Sequence, residues 1–373
     1  MTFSQGKSLK ISIFIPSFGD GGVERMLCNL SHGFIKRGVD VDFLIKKATG
    51  PYLSSLPQKI RIIELGTSNS IKVLPALIRY LKQEQPKALL SAKDSANYVA
   101  VLAGLLADVP THIVLRVGTT VSEVLKNRNP LKKFTNIHIM QNLYKRAYTI
   151  IAVSMGVAED IANLTGIAVD RIKVIPNPVV TPELPFLAKK PVYHPWFNGE
   201  GSPIIIGMGR FSRAKDFRTL IQAFSQVHKR LSCRLLILGK GRQGPKLRAL
   251  ATELGVKDDF CLPGFVDNPY SYIARSNLFV LSSIWEGSPS ALTEALALGI
   301  PVVATDCKSG PREILQDGRY GKLVPIRDAN ALAEAIFETL QNPLDVDIIK
   351  CAAKPYRIEK STDRYLSAMG IKL

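Results

Sequence analysis

Two carboxylates, Glu286 and Glu294, stand in the run Trp285–Val303 with seven residues between them. Ser288 and Pro289 follow the first of them. Their types predict a helix that starts there, with Ser288 as the N-cap and Pro289 as the first helical residue, because a serine oxygen accepts an orphan N–H and proline has none to satisfy. Gly299 closes an apolar stretch as the helix stop. Ile300–Ala304 then predicts a buried parallel strand. One carboxylate on a loop, free N–H groups at a helix start and a second carboxylate one to two turns in would face one crevice. A helix N-terminus attracts phosphate. Carboxylates beside it suit neutral hydroxyls. A ligand carrying both, such as a nucleotide sugar, fits that chemistry.

A second basic motif supports this. Gly207–Asp216 follows an apolar strand and precedes a helix, so Gly209, Arg210 and Lys215 belong to the loop beyond a strand end. Two cations there can neutralise a diphosphate through charge-assisted hydrogen bonds. Gly19–Arg25 joins the first strand to the first helix, and Gly21 and Gly22 let backbone approach a ligand at the helix start. The Gly-Lys-[Ser/Thr] ending of a P-loop is missing, so ATP hydrolysis has no support. Gly239–Gly244 is formally G-x-G-x-x-G. The acidic pair Asp258 and Asp259 precedes the next strand, however, at the wrong end for a ribose, so nicotinamide binding is not expected. A turn whose backbone lines a nucleotide pocket is expected at Gly239. Asp40-x-Asp42 lies within a strand and Asp345-x-Asp347 in the C-terminal segment. Neither presents two carboxylates from a loop, so no metal site and no cofactor is expected. The five histidines lack metal-ligand spacing.

The elements around these residues alternate strand and helix twice over. In the first half, strands are expected at Ile11–Pro16, Val39–Ile45, Arg61–Leu65, Ala88–Ser91, Ile113–Val117 and Thr149–Val153, with helices at Val23–Arg37 and Val73–Glu84. In the second half strands are expected at Pro203–Met208, Arg234–Leu238, Phe260–Leu262, Leu278–Leu281 and Pro301–Ala304, with helices between. Near-continuous apolar strands separated by helices mean parallel sheets covered on both faces. The expected fold is α/β, with two doubly wound, Rossmann-like domains facing across a cleft and ligands at the strand carboxyl ends. The expected boundaries are residues 1–180 for the first domain, completed by a helix within 355–373, then a linker at 181–202 rich in Pro, Gly and aromatics, then a second domain at 203–354.

The 373 residues carry 49 Lys and Arg against 31 Asp and Glu, a net charge of +18. Residues 1–150 hold 21 of the cations and 9 of the anions, a net +12. Such a balance points to nucleic acid or an anionic membrane. No zinc-finger, ribonucleoprotein or heptad pattern accompanies it, so nucleic acid is not the expected partner. Leu125–Arg146 mixes basic and apolar residues as a membrane-surface helix does. No apolar run approaches the roughly 20 residues of a membrane span. The five scattered cysteines lack CxxC spacing, which fits reduced thiols and a cytoplasmic protein.

Together these motifs resemble the retaining GT-B glycosyltransferases of the "glycosyl transferases group 1" family. The resemblance runs through Phe18–Arg25, Val153–Val157, Val174–Pro178, Gly209–Lys215, Leu262–Asn268, the Glu286/Glu294 pair and Ser309–Leu315, nearly the whole chain. It implies that Arg210 and Lys215 hold the donor diphosphate. Glu294 would bind the ribose and Glu286 the sugar hydroxyls, with backbone near Gly287, Ser288, Pro289 and Ser290, continuing to Ala291 and Leu292, on sugar or phosphate. The loop with Gly264, Phe265 and Val266 would flank the base, and Gly21 and Gly22 would approach the phosphates. UDP is the implied nucleotide. The resemblance is to enzymes that extend bacterial surface or lipid-linked glycans, which implies a glycan or polyprenyl-linked acceptor and a peripheral position on the inner face of the cell membrane. One departure stands out. Many family members carry a His after the strand corresponding to Ile113–Val117; here Arg116-Val-Gly118-Thr-Thr stands, so Arg116 or a backbone carbonyl takes its place. Arg116, Gly118 and Asn177 are the expected acceptor-side residues. Two alternatives share the bulk features: a nucleotide-sugar 2-epimerase of the same architecture, and a basic protein that binds nucleic acid or membrane.

Overall fold

A computed structural model describes residues 9–372 except 17, 20, 49, 51, 67–72, 127 and 199–200. Asp20 of the glycine loop and residues 199–200 of the expected linker therefore lie outside the described residues.

The chain divides into two compact units, residues 1–178 with 358–373, and residues 179–357. The first is built on seven strands: β1 Lys10–Phe14, β2 Asp40–Ile45, β3 Arg61–Glu64, β4 Ala88–Ser91, β5 His112–Val117, β6 Thr149–Ala152 and β7 Ile172–Val174. They form one sheet in the order β3-β2-β1-β4-β5-β6-β7, with every neighbouring pair parallel. Its helices are α1 Gly22–Lys36, α2 Leu74–Glu84, α3 Asp94–Ala107, α4 Val121–Lys126, α5 Pro130–Leu143 and α6 Met155–Thr165. The second unit has six strands, β8 Ile204–Met208, β9 Arg234–Leu238, β10 Phe260–Gly264, β11 Leu278–Leu281, β12 Val302–Thr305 and β13 Lys322–Val324, ordered β10-β9-β8-β11-β12-β13 and again parallel. Its helices are α7 Leu184–Lys189, α8 Phe217–His228, α9 Gly244–Glu253, α10 Pro269–Ile273, α11 Ser290–Ala297, α12 Pro311–Ile314, α13 Ala329–Gln341 and α14 Val346–Cys351. Helix α15, Ile358–Ala368, returns to the first unit and packs on α1.

Each sheet buries apolar side chains on both faces. Phe14, Leu89 and Leu115 face one core of the first unit, while Ile13, Leu90 and Val114 face the other, which Tyr365 and Leu366 of α15 complete. Two-faced burial is why these strands read as continuous apolar runs. In each sheet the chain reverses direction of winding beside its first strand, so the loops after β1 and β8 sit at the switch points where such sheets bind ligands.

Several elements escape the sequence pattern. The three-residue strands β7 and β13 are too short to show one. Helix α3 is apolar almost all round, so it lacks the polar face that marks an amphipathic helix. The largest difference is at 181–202, expected as a linker without regular structure. It contains α7, and it packs on the second unit. Asn268 Nδ2 donates to the Leu187 carbonyl at 2.8 Å and Arg275 Nη1 to that of Ala188 at 2.9 Å. Trp196 and Phe197 join the core beneath. Its aromatic and apolar residues have a surface to bury against, which composition alone does not reveal.

Candidate active site

The loop after β8 is held from two sides. The Gly209 N–H donates to the Leu238 carbonyl at 2.9 Å, and the Phe211 N–H to Lys240 at 2.9 Å. From the other side the Ile284 N–H reaches the Ala214 carbonyl at 2.7 Å, and Ser282 Oγ donates to the Lys215 carbonyl at 2.8 Å. Asp216 then takes a left-handed φ of +43°, and its carboxylate accepts the Thr219 hydroxyl at 2.7 Å as α8 begins. Burial raises the Asp216 carboxyl above the usual range. A non-glycine residue with that backbone is strained, and such strain persists only where surrounding bonds over-determine it.

Lys215 Nζ meets Glu286 Oε1 at 2.5 Å. The same oxygen accepts the Ser283 hydroxyl at 2.6 Å. Ser283 is fully buried, and its carbonyl accepts Thr305 Oγ1 at 2.5 Å. Lys215 and Glu286, 71 residues apart, are thus brought together, while Arg210 is exposed at the start of the same loop. Ser282, Ser283 and Thr305 were not among the expected site residues. The available signal was weak: two small hydroxyls directly after an apolar strand and three to four residues before a loop carboxylate.

The helix start differs from expectation by one residue. Pro289, with φ −70° and ψ 101°, occupies the N-cap, and α11 begins at Ser290. Ser288, expected as the cap, lies before it. The segment 287–289 is pinned from outside: Ser309 Oγ donates to the Gly287 carbonyl at 3.0 Å, and a Cβ on Gly310 would stand 2.7 Å from Pro289 Cδ. Gly310 itself has φ +91°, so both its backbone and this close approach need glycine. Ala291 is half-buried, while Leu292 and Glu294 are buried in the helix. Glu294 is 1% exposed and accepts the Tyr270 hydroxyl of α10 at 3.5 Å.

Gly239, the first residue of the G-x-G-x-x-G run, packs on the loop after β8. Its N–H donates to Gly264 at 2.8 Å. The glycines at 239 and 241 allow two backbone segments to touch, and Gly244 opens α9 against the Phe211 ring. Asp259 lies before β10, paired with His228 Nε2 at 2.9 Å. Phe265 is half-buried, with Lys240 Nζ 5.3 Å from its ring centre, and Val266 packs on the core.

In the first unit, Gly21 caps α1 with extended backbone, and Gly22 has no atom within 4 Å of where a Cβ would stand. Glu24 is buried, and its Oε1 accepts Lys93 Nζ at 2.7 Å and the Gly19 N–H at 3.2 Å. It ties the loop after β1 to the loop after β4. Arg116 and Asn177 come together, both buried, with Arg116 Nη2 donating to Asn177 Oδ1 at 2.8 Å. The guanidinium also lies against Gly118, where a Cβ would be 2.6 Å from Nη1. Asp42 is held by Arg61 Nε at 2.9 Å and by the Tyr80 hydroxyl at 2.6 Å. Asp345 caps α14. His112 stacks on Tyr148 and bonds the Met369 carbonyl.

Two parallel doubly wound units, with Lys215 paired to Glu286 beyond the strand carboxyl ends of the second, define a two-domain α/β protein of Rossmann-like halves. A model of the family described as "Glycosyl transferases group 1" matches residues 194–355, and one described as "Glycosyltransferase Family 4" matches residues 20–182. The chain belongs to the group 1 glycosyltransferases of GT-B fold. It is 28% identical over 355 residues to the N-acetylgalactosamine-N,N'-diacetylbacillosaminyl-diphospho-undecaprenol 4-alpha-N-acetylgalactosaminyltransferase of Campylobacter jejuni, covering 92% of this chain and 93% of the relative. It is 27% identical to the lipopolysaccharide core biosynthesis glycosyltransferase LpsE of Rhizobium meliloti, covering 95% and 97%. Among solved structures, Anabaena Alr3699/HepE in complex with UDP and glucose matches with a TM-score of 0.79 at 17% identity over 97% of this chain and 99% of that one. The apo lipopolysaccharide outer core galactosyltransferase WaaB matches with a TM-score of 0.73 at 19% identity over 97% and 99%.

Proposed function

We propose that this glycosyltransferase moves a sugar from a UDP-linked donor to a hydroxyl of a glycan or polyprenyl-linked glycolipid, with retention at the anomeric carbon and without a metal ion. The observation that carries this is the pairing of Lys215 with Glu286 at the carboxyl ends of β8 and β11. A cation there suits the donor diphosphate, and the carboxylate beside it suits the sugar hydroxyls. In this reading the bond from the anomeric carbon to the diphosphate breaks as the acceptor oxygen bonds to that carbon on the same face. The acceptor proton passes to the departing phosphate oxygen. Lys215 and Arg210 stabilise the charge that develops on the leaving group, and the protein contributes position and electrostatics. Glu294 takes the ribose, Gly264–Val266 flank the base, and Gly287–Leu292 offer backbone to sugar and phosphate. Gly209 and Gly239 line the donor pocket of the second unit. Arg116, Gly118 and Asn177 shape the acceptor side.

The relatives support this acceptor class, since by name they build a diphospho-undecaprenol-linked glycan and a lipopolysaccharide core. In this reading a lipid-linked acceptor is met at an anionic membrane surface on the cytoplasmic side. Leu131 and Phe134 of α5 are 73% and 70% exposed beside Lys132 and Lys133, which supports that surface as the contact.

A thermal-shift panel with UDP, GDP, ADP and NADH, all with EDTA, tests the donor. Stabilisation of about 2.7 kcal/mol is expected at a hundredfold excess of UDP over its dissociation constant. A response to GDP alone replaces the donor class, and a response to NADH alone overturns the reading. Incubation with UDP-GlcNAc without acceptor, followed by chromatography of the nucleotide sugars, detects an isomer only for an epimerase.

A further inference from the structure

Glu286 Oε1 accepts two donors of very different freedom. Lys215 Nζ, at 2.5 Å, ends a four-carbon stem that lies over Gly209, and its side chain is 21% exposed. Ser283 Oγ, at 2.6 Å, belongs to a residue with no exposed surface whose carbonyl is held by the buried Thr305 hydroxyl. One donor can swing away, and the other cannot. A diphosphate entering beside Lys215 carries about two negative charges against the single charge of a carboxylate, and charge-assisted bonds to phosphate are strong.

We propose that the Lys215–Glu286 ion pair is a latch that the donor diphosphate exchanges, and that Ser283 is the positioning residue which keeps Glu286 in place when Lys215 changes partner. This rests on Lys215 as the diphosphate ligand and Glu286 as the sugar ligand. The exchange is of ionic partners only, with no bond made or broken. It has a directional consequence. When a nucleotide sugar binds, sugar hydroxyls donate to the carboxylate that Lys215 has left. When the nucleoside diphosphate remains alone after transfer, nothing replaces them, and Glu286 competes for Lys215. The latch therefore favours donor over product and hastens product release.

The test is isothermal titration of UDP, with GDP in parallel, into wild type, Glu286→Gln, Ser283→Ala and Lys215→Ala in EDTA, each variant checked by its melting transition. Removing the competing charge in Glu286→Gln is expected to tighten UDP roughly twofold to fivefold, the range of a partly screened ion pair. Glu286→Ala serves as the second variant and should act in the same direction. Unchanged or weaker binding in both, with Lys215→Ala still impaired, overturns the latch while leaving the diphosphate assignment standing. Wild-type UDP affinity in Lys215→Ala overturns the underlying reading instead. Ser283→Ala should leave UDP affinity within about twofold and weaken the tightest-bound of UDP-glucose, UDP-galactose, UDP-GlcNAc and UDP-GalNAc by roughly tenfold, the loss of one hydrogen bond to a charged group. Equal effects on UDP and on the nucleotide sugar overturn the positioning role.

Discussion

A Cβ on Gly239 would stand 2.0 Å from the carbonyl oxygen of Gly209, closer than any real contact. The two loops that follow β8 and β9 therefore touch backbone to backbone, and Gly239 holds φ +129° to do so. Gly239→Ala meets both the clash and a backbone that a side chain rarely adopts. It is expected to destabilise the second unit by about 1–3 kcal/mol and to weaken UDP binding through displacement of the 209–215 loop. Calorimetry beside a UDP titration reads both effects. A neutral substitution would mean the loops separate easily and do not share one pocket wall.

Lys215→Ala should lower turnover by about a hundredfold or more, as for the loss of an oxyanion-type stabiliser. Glu294→Ala should act chiefly on the donor Michaelis constant, since the buried carboxylate is read as a ribose ligand. Tyr270→Phe, which removes only the hydroxyl 3.5 Å from Glu294, should be milder than either. Steady-state kinetics with saturating acceptor separates the three.

The Arg116 guanidinium is buried and bonded to Asn177 Oδ1 at 2.8 Å. Asn177→Ala removes an acceptor from a buried cation and should lower stability by about 1.5–3 kcal/mol. Gly118→Ala places a Cβ on Nη1 and should disturb the same pair. Urea denaturation of both variants should show falls of similar size. If only Asn177→Ala affects activity and neither affects stability, the pair serves acceptor contact rather than scaffold.

Burial pushes the thiols of Cys28 and Cys233 up to about 12 and raises that of Cys307 as well. The thiolate is the reactive form. At pH 8 a group with a pKa near 12 is about one part in ten thousand ionised. Cys351 and Cys261, which are half-buried, should label first with a thiol reagent in the folded protein. The other three should label only on unfolding. Peptide mapping at increasing urea gives the order, and early labelling of Cys28 contradicts its burial.

Leu131→Ser with Phe134→Ser removes two exposed apolar side chains from α5 without touching the core. Sedimentation with anionic phosphatidylglycerol vesicles should fall several-fold, and added salt should weaken the wild type too, since part of the attraction is screened. Unaltered sedimentation would place the membrane contact elsewhere or remove it.

The amino-acid sequence by itself determined the two α/β halves, the loop position of Lys215 and the helix that carries Glu294. Each rests on a local cause: two-faced apolar runs for the strands, punctuating glycines for the turns. It also determined that Asp258 and Asp259 stand before their strand and not after it. Tertiary structure decided the rest. That Lys215 touches Glu286 depends on β8 pairing with β11, a neighbour 71 residues away by these side chains. That Ser283 and Thr305 brace the carboxylate depends on β11 pairing with β12. That the segment before α11 is bonded to a distant loop, with Ser309 Oγ donating to the Gly287 carbonyl, also has no local signal. Short strands and an all-apolar helix carry no period to read, and partners far along the chain leave none at all.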